Sequence, residues 1–392
     1  MRPLEEANRI FDQMVAWRRD FHMHPEVGLE TPRTAGIVVQ VLRELGYAVR
    51  EGVAKRGVIG VLRNGEGPIV MNRVDMDALP IQEENLVPYA SKIEGCMHAC
   101  GHDAHTAMGL GIATVMAEHR EAWRGTLKLI FQPGEEGEDG APIMIEEGAL
   151  EDPRPEVALA LHVWNHRAFG KVAAAPGPVM AGAEEFRAVI KGKGGHGALP
   201  DTTVDPVVTA ALTITNLQTI VSRNVSPLET AVISIGSVRS GDAFNVIPET
   251  AELRGTVRTF DSRVRDRVLR RLRDIFNSTA EMMGASADLD LKLLTPALVN
   301  DDLITALVQD AARDVLGDKA LETEFRTMGS EDAAFFLQEI PGCYLFVYSG
   351  PEDYEDRPHH SPRFDIDERA MINGLSVIVA SLCRLMPPAD VG

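Results

Sequence analysis

Residues 97–106, MHACGHDAHT, bring three histidines, a cysteine and an aspartate into ten positions. So many polar ligand types suit neither a core strand nor an amphipathic helix. Thiolate, imidazole and carboxylate together suit Zn²⁺ and its borderline neighbours Mn²⁺, Co²⁺ and Ni²⁺. More groups of the same kind recur along the chain. Asp75 closes PIVMNRVD, Glu135 and Glu136 close TLKLIFQPGEE, His162 closes VALALH, and His359 and His360 lie in RPHHSPRFD. One catalytic cation takes about three protein ligands and a water. The candidates here suffice for two, set about 3.5–4 Å apart as in two-metal hydrolases. Adjacent side chains point in different directions. One of Glu135 and Glu136 can therefore ligate while the other handles the proton of a nucleophilic water.

Each group also has a plainer explanation. Cys100 can be a small buried hydrophobe, and the acids of EEGED can be a solvated turn. Packing alone does not explain why these groups collect at strand ends and in Gly- or Pro-rich loops. Cys96 and Cys100 are followed by no second cysteine pair, which disfavours a structural zinc knuckle. No G-x-S-x-G elbow or P-loop offers a serine hydrolase or a phosphate enzyme.

The elements that must position these groups are legible from the hydrophobic pattern. Helical spacing covers residues 5–21 and 33–45, the second closing at Gly46. GVIGVLRN and PIVMNRVD are short apolar runs bounded by Gly and Pro, which predict strands. The segment 101–120 predicts a helix. TLKLIFQ and VALALHV predict buried strands with a helix near 141–147 between them. Three strands of one α/β sheet thus carry an acid or an imidazole at their carboxyl ends, where open α/β sheets place ligands.

From about residue 183 the pattern becomes β-α-β-β-α-β, the split βαβ order of a small ferredoxin-like domain. Its second helix puts Val264, Val268, Leu272, Ile275 and Ala280 on one face, and its arginines read as a solvated face. After Pro296 the helix–strand pattern resumes. The expectation is a larger domain, 1–182 and 295–392, with a mixed sheet flanked by helices. An inserted smaller α+β ferredoxin-like lid and dimerisation domain would cover 183–294.

With 392 residues, two domains are expected. The net charge is −19, from 39 basic and 58 acidic residues, which argues against nucleic acid and anionic membranes. No signal peptide or membrane-length apolar run is visible, and four scattered cysteines do not make a disulfide framework. The expected location is the cytoplasm.

The motifs RRDFHMHPEVGLE, RVDMDALPIQEE, MHACGHDAHTAM, FQPGEEGE, LHVWN, GKGGHGALPD, AFNVIP, GTVRTF, MGSEDAAFF and HHSPRFD occur in the order found in hippurate hydrolases. The chain resembles these N-acyl-amino-acid amidohydrolases, relatives of plant auxin-conjugate hydrolases among the dinuclear aminoacylase and carboxypeptidase metallopeptidases. The likeness runs over residues 17–385.

That resemblance implies specific roles. Cys100 would bridge two divalent metals, Mn, Zn, Co or Ni, with His102, Glu136, His162 and His360 completing the ligands. Glu135 would be the general base. Asp75 would orient a ligand histidine from behind, a role of physical value. His196 would reach over from the smaller domain to steady the oxyanion. Asn245 and Arg258 would hold the substrate carboxylate, Arg through its bidentate fork. His105 reads as packing or capping in the helix, and His98 has no assigned role. Val74, Gly134 and Ala333 depart from the usual pattern without removing a ligand or base; the resemblance places Ala333 near the substrate pocket.

The expected reaction is hydrolysis of an N-acyl-amino acid, hippurate-like or N-acetyl, to a carboxylic acid and a free amino acid. A dipeptidase, aminopeptidase or carboxypeptidase is the alternative on the same scaffold. A metal carrier without turnover would leave Glu135 unexplained, and a Cys100 nucleophile paired with His102 is the remaining rival. The resemblance further implies a homodimer or homotetramer through the smaller domain.

Overall fold

The computed structural model describes residues 1–352 and 354–388. Two compact units emerge. The first holds Met1–Gly177, Val299–Arg326 and the chain from Asp332 on; the second holds Pro178–Leu298 and Thr327–Glu331. Among the described residues, no helix is long and apolar enough to cross a membrane.

The first unit is built on an eight-stranded mixed sheet. Five of its strands are β1 (Ala48–Val53), β2 (Gly57–Asn64), β3 (Ile69–Asp75), β4 (Gly125–Gln132) and β5 (Val157–Ala168). Their order is β1-β2-β4-β3-β5, followed by the strand Gly342–Gly350 and two short segments. The outer pairs β1–β2 and β2–β4 are antiparallel, while β4, β3, β5 and Gly342–Gly350 run parallel. Every residue of β4 and of Gly342–Gly350 is buried, as expected of parallel strands covered on both faces.

Helices α1 (Pro3–Arg9), α2 (Phe11–Met23), α3 (Pro32–Glu44) and α4 (His102–Glu118) belong to this unit, with Asp302–Leu316 and Ala370–Leu385. The single helix expected over 5–21 bends at Ile10 (φ −99°, ψ 9°). Bonding continues across the bend, from Ile10 N–H to Glu6 and from Met14 N–H to Ile10. α4 is buried along nearly its whole length. It enters a core with Met14, Val74, Phe131, Leu345 and Leu375.

The second unit is a four-stranded antiparallel sheet in the order Ala231–Arg239, Thr250–Thr259, Gly182–Lys191, Ser286–Thr295. Helices Pro206–Thr219 and Ser262–Met282 complete the β-α-β-β-α-β order of a ferredoxin-like fold. The face foreseen on the second helix is buried, including Val264, Val268, Leu272, Ile275 and Ala280. Arg267 pairs with Glu229 and Arg271 with Asp274 on the solvent side, while Arg265 reaches the buried Glu184. This unit has its own core, centred on Phe186, Leu253, Leu272 and Phe276.

Candidate metal centre

The parallel register brings the chemistry together. Asp75 at the end of β3 pairs with Gln132 at the end of β4. Arg73 pairs with Ala160 on β5, so two residues further along Asp75 and His162 reach the same edge. The Cys100–His102 turn arrives at that edge just before α4. Gly101 between them sits at φ +91°, and a Cβ there would lie 2.4 Å from Val163 Cγ2. Only glycine fits this turn.

Ligand atoms of Cys100, His102 and Glu136 lie within 4.8 Å of one another, as do those of Cys100, His162 and His359 and those of His102, His105 and His162. Cys100 Sγ is 3.4 Å from His162 Nε2. His360 Nε2 is 3.2 Å from Glu136 Oε1, and its N–H donates to the carbonyl of Ala99 at 2.8 Å. The structure therefore gathers Cys100, His102, Glu136, His162 and His360, with His359 beside them.

Three residues outside the expected ligands hold this arrangement. Asp77 accepts the backbone N–H of Glu135 on Oδ1 and that of Glu136 on Oδ2, each at 3.0 Å. Its own carbonyl accepts from His102 Nδ1 at 2.9 Å. This leaves His102 Nε2 buried without a hydrogen-bond partner. Arg73, fully buried on β3, donates to Gln132 Oε1, Asp75 Oδ2 and Asp332 Oδ1 at 2.8–2.9 Å.

His105 is packed within α4 as expected, and it also bridges two strands. Its Nδ1–H donates to Asp75 Oδ1 at 2.6 Å, and its Nε2 accepts the N–H of Val163 at 2.8 Å. Both nitrogens are thereby used, although the ring belongs to one of the possible ligand groups. Asp75 consequently bonds His105, while His102 Nε2 stands 3.9 Å from it. The carbonyl of Val163 accepts from His162 Nδ1 at 2.5 Å and from His359 Nε2 at 3.1 Å. One residue of β5 thus fixes three rings.

The electrostatics favour a cation. Burial pushes the Cys100 thiol well above its ordinary value, and Glu136, Glu135 and Asp75 push it further. Burial opposes charge on His102, but Asp75, Asp77 and Glu136 outweigh it and raise the imidazole to about 10. Burial holds His162 well below its usual range. A divalent ion would displace the protons of Cys100 and His102 and offset the crowded carboxylates. The donor set, with His102 Nε2 unpartnered within it and His359 Nδ1 unpartnered beside it, fits such an ion. A free Cys100 nucleophile does not fit, because the reactive form is the thiolate and burial and the neighbouring carboxylates disfavour it.

The remaining expected residues lie in the second unit. His196 pairs with Val246, which follows Asn245, and the N–H of Gly197 donates to the Asn245 carbonyl at 2.8 Å. Arg258 donates through Nη1 to Ser330 Oγ at 2.6 Å. Nothing in residue type alone marked Asp77, Arg73 or His105. The available signals were the D-x-D spacing of RVDMD and the one-turn spacing from His102 to His105.

Comparison with known proteins agrees with this chemistry. The model of peptidase family M20/M25/M40 matches residues 71–384. The chain is 38% identical to the IAA-amino acid hydrolase ILR1-like 4 of Arabidopsis thaliana, over 98% of this chain and 88% of that one. It is 39% identical to the N-acetyl-L-cysteine deacetylase of Bacillus subtilis, over 95% and 88%. The crystal structure of a dinuclear metal-binding peptidase of the M20 family from Bacillus subtilis superposes with a TM-score of 0.85 at 31% identity, covering 97% and 99%. A family match of this span and near full-length similarity place the chain in peptidase family M20/M25/M40, as a metal-dependent amidohydrolase.

Proposed function

We propose that the protein hydrolyses the amide of N-acyl-amino acids, hippurate-like or N-acetyl, to a carboxylic acid and a free amino acid. The observation that carries this reading is the placement of Glu135 and Glu136. Both backbone N–H groups are held by Asp77, and Glu136 joins Cys100 and His102. Glu135 is anchored through its backbone next to this ligand, and its charge acts on the Cys100 thiol. Two relatives carry names that describe cleavage of acyl-amino acids, which supports the substrate class.

Cys100, His102, Glu136, His162 and His360 would hold two divalent ions, Mn, Zn, Co or Ni. When bound, these would polarise the amide carbonyl and acidify a water. Glu135 takes the proton of the attacking water and returns it to the leaving amine. Asp75 positions His105 and, through Val163, His162. His196 is assigned to the oxyanion, and Asn245 and Arg258 to the substrate carboxylate. The second unit is assigned the roles of lid and of contact between copies in a homodimer or homotetramer.

The test is a panel of acetyl- and benzoyl-amino acids, run before and after chelation and re-addition of each metal. Turnover is expected to vanish on chelation and return with metal. Glu135→Gln is expected to bind metal as the unaltered protein does and to lose turnover; retained turnover in this variant would remove the base assignment. The neighbour described as a peptidase favours a second reading, cleavage of free dipeptides. Turnover of dipeptides with none of acyl-amino acids would select it.

A further inference from the structure

We propose that Arg18, on α2, is a positioning residue that locks together the two loops from which the metal cluster draws its ligands. Its side chain is fully buried. Nε donates to Asp103 Oδ2 at 2.8 Å, Nη2 to Asp365 Oδ1 at 2.9 Å and Nη1 to Glu368 Oε1 at 3.2 Å. Asp103 is the residue after His102, in the first turn of α4. Asp365 and Glu368 follow His360 in the C-terminal loop. One planar guanidinium therefore spans the Cys100–His102 turn and the His360 loop, which lie far apart in sequence.

Further contacts hold the clamp in place. His22 Nδ1–H also donates to Asp103 Oδ2, at 2.7 Å, and its Nε2 faces Glu83 at 3.3 Å. The Tyr89 hydroxyl donates to Asp365 Oδ2 at 2.8 Å. Asn85 donates to the Phe364 carbonyl at 2.9 Å, and the N–H of Glu84 donates to Pro362. The two ligand loops also meet through backbone, His360 N–H to Ala99.

Stability alone does not account for such a cluster. A buried ion group is often no better than an apolar plug of similar volume. What Arg supplies is geometry, since its fork sets the spacing and angle of three carboxylates at once. Dinuclear ligands must be held to within about 0.5 Å, and among the described residues neither loop forms a sheet ladder, the first being tied by the isolated Leu79–Met97 bridge.

This proposal rests on the reading that Cys100, His102 and His360 bind metal, so the experiment begins with that reading. Cobalt(II) is titrated into the metal-free protein while the thiolate-to-cobalt charge-transfer band is followed. Absence of the band in the unaltered protein would refute the metal reading itself. With the band present, Arg18→Lys, which keeps the charge and loses the fork, is expected to weaken cobalt binding about 10–100-fold and to alter the band. Its kcat should fall more than its KM changes. Arg19→Met removes a half-exposed neighbour that also pairs with Glu368 and is expected to leave affinity and band unchanged. Asp365→Asn tests the C-terminal leg of the clamp if Arg18→Lys does not fold, and it should also weaken cobalt binding. A folded Arg18→Lys or Asp365→Asn protein with unaltered affinity and band, whatever its melting temperature, would overturn the proposal.

Discussion

Asp77 shows how much of this site depends on a residue that contacts no expected substrate group. Its two carboxylate oxygens receive the consecutive N–H groups of Glu135 and Glu136, so the backbone that carries both carboxylates is anchored by it. Asp77→Asn keeps the shape but turns an amide donor toward one of those N–H groups. Buried donors left without an acceptor cost about 1–3 kcal/mol, and supporting groups of this kind typically carry about 10–100-fold in activity. Steady-state kinetics of D77N should show that loss in kcat/KM with metal content retained; unchanged kinetics would remove Asp77 from the machinery. The proposed ligands could be picked out in the sequence because their chemistry resides in their side-chain types. Asp77 could not, since it acts on backbone groups 58 and 59 positions away. Arg73 and Asp332 were hidden for the same reason, being joined only when β3, β4 and the distant loop come together.

At the scale of elements, α4 sets the depth of the cluster because it packs tightly on the sheet. Gly109 lies directly against the sheet: a Cβ there would lie 2.8 Å from both Phe131 and Val74. Alanine favours a helix over glycine by about 1 kcal/mol, but overpacking a filled core costs about 1–3 kcal/mol. Neither contact is with the end of a flexible chain, so overpacking wins. Gly109→Ala should unfold at lower urea with an unchanged slope; a gain in stability would show that α4 can shift outward. On β4, Lys128 is buried and donates to the carbonyls of Glu151 and Pro153 at 2.7 and 3.0 Å. Burial lowers its ammonium to about 8 from the ordinary 10.5. The unfolded chain then holds more protons between those values, so this lysine's contribution to stability improves as pH rises through that window. The urea stability of the unaltered protein relative to Lys128→Met should rise between pH 8 and 10, and a flat difference would contradict it. The principal strands β2 to β5 announced themselves through apolar runs bounded by Gly and Pro. β1 did not, because AVREGV lies at the sheet edge with most residues exposed, leaving no period to read. His105 is buried in α4 as the packing reading expects, but helical spacing cannot say that β3 and β5 supply its partners.

Across the whole molecule, the β-α-β-β-α-β order was readable because each strand of the second unit alternates, one face toward Phe186, Leu253 and Phe276 and the other toward solvent. The large sheet was harder to order from sequence. Its strand Gly342–Gly350 joins β5 only after the chain has passed through the entire second unit. Each unit closes its own hydrophobic core, and every proposed metal ligand lies in the first. Two cores with one shared chain predict two unfolding transitions rather than one, since separate domains commonly break two-state behaviour. A cation that binds the folded first unit at a concentration about 100 times its dissociation constant stabilises it by about 2.7 kcal/mol. For a unit of this size that raises its midpoint by roughly 5–10 °C, while the second unit gains nothing from direct ligation. Calorimetry of the full chain, with and without added metal, should therefore show one transition that moves and one that stays. A single transition that shifts as a whole would mean that the two cores unfold together, with the metal stabilising the second unit through the first.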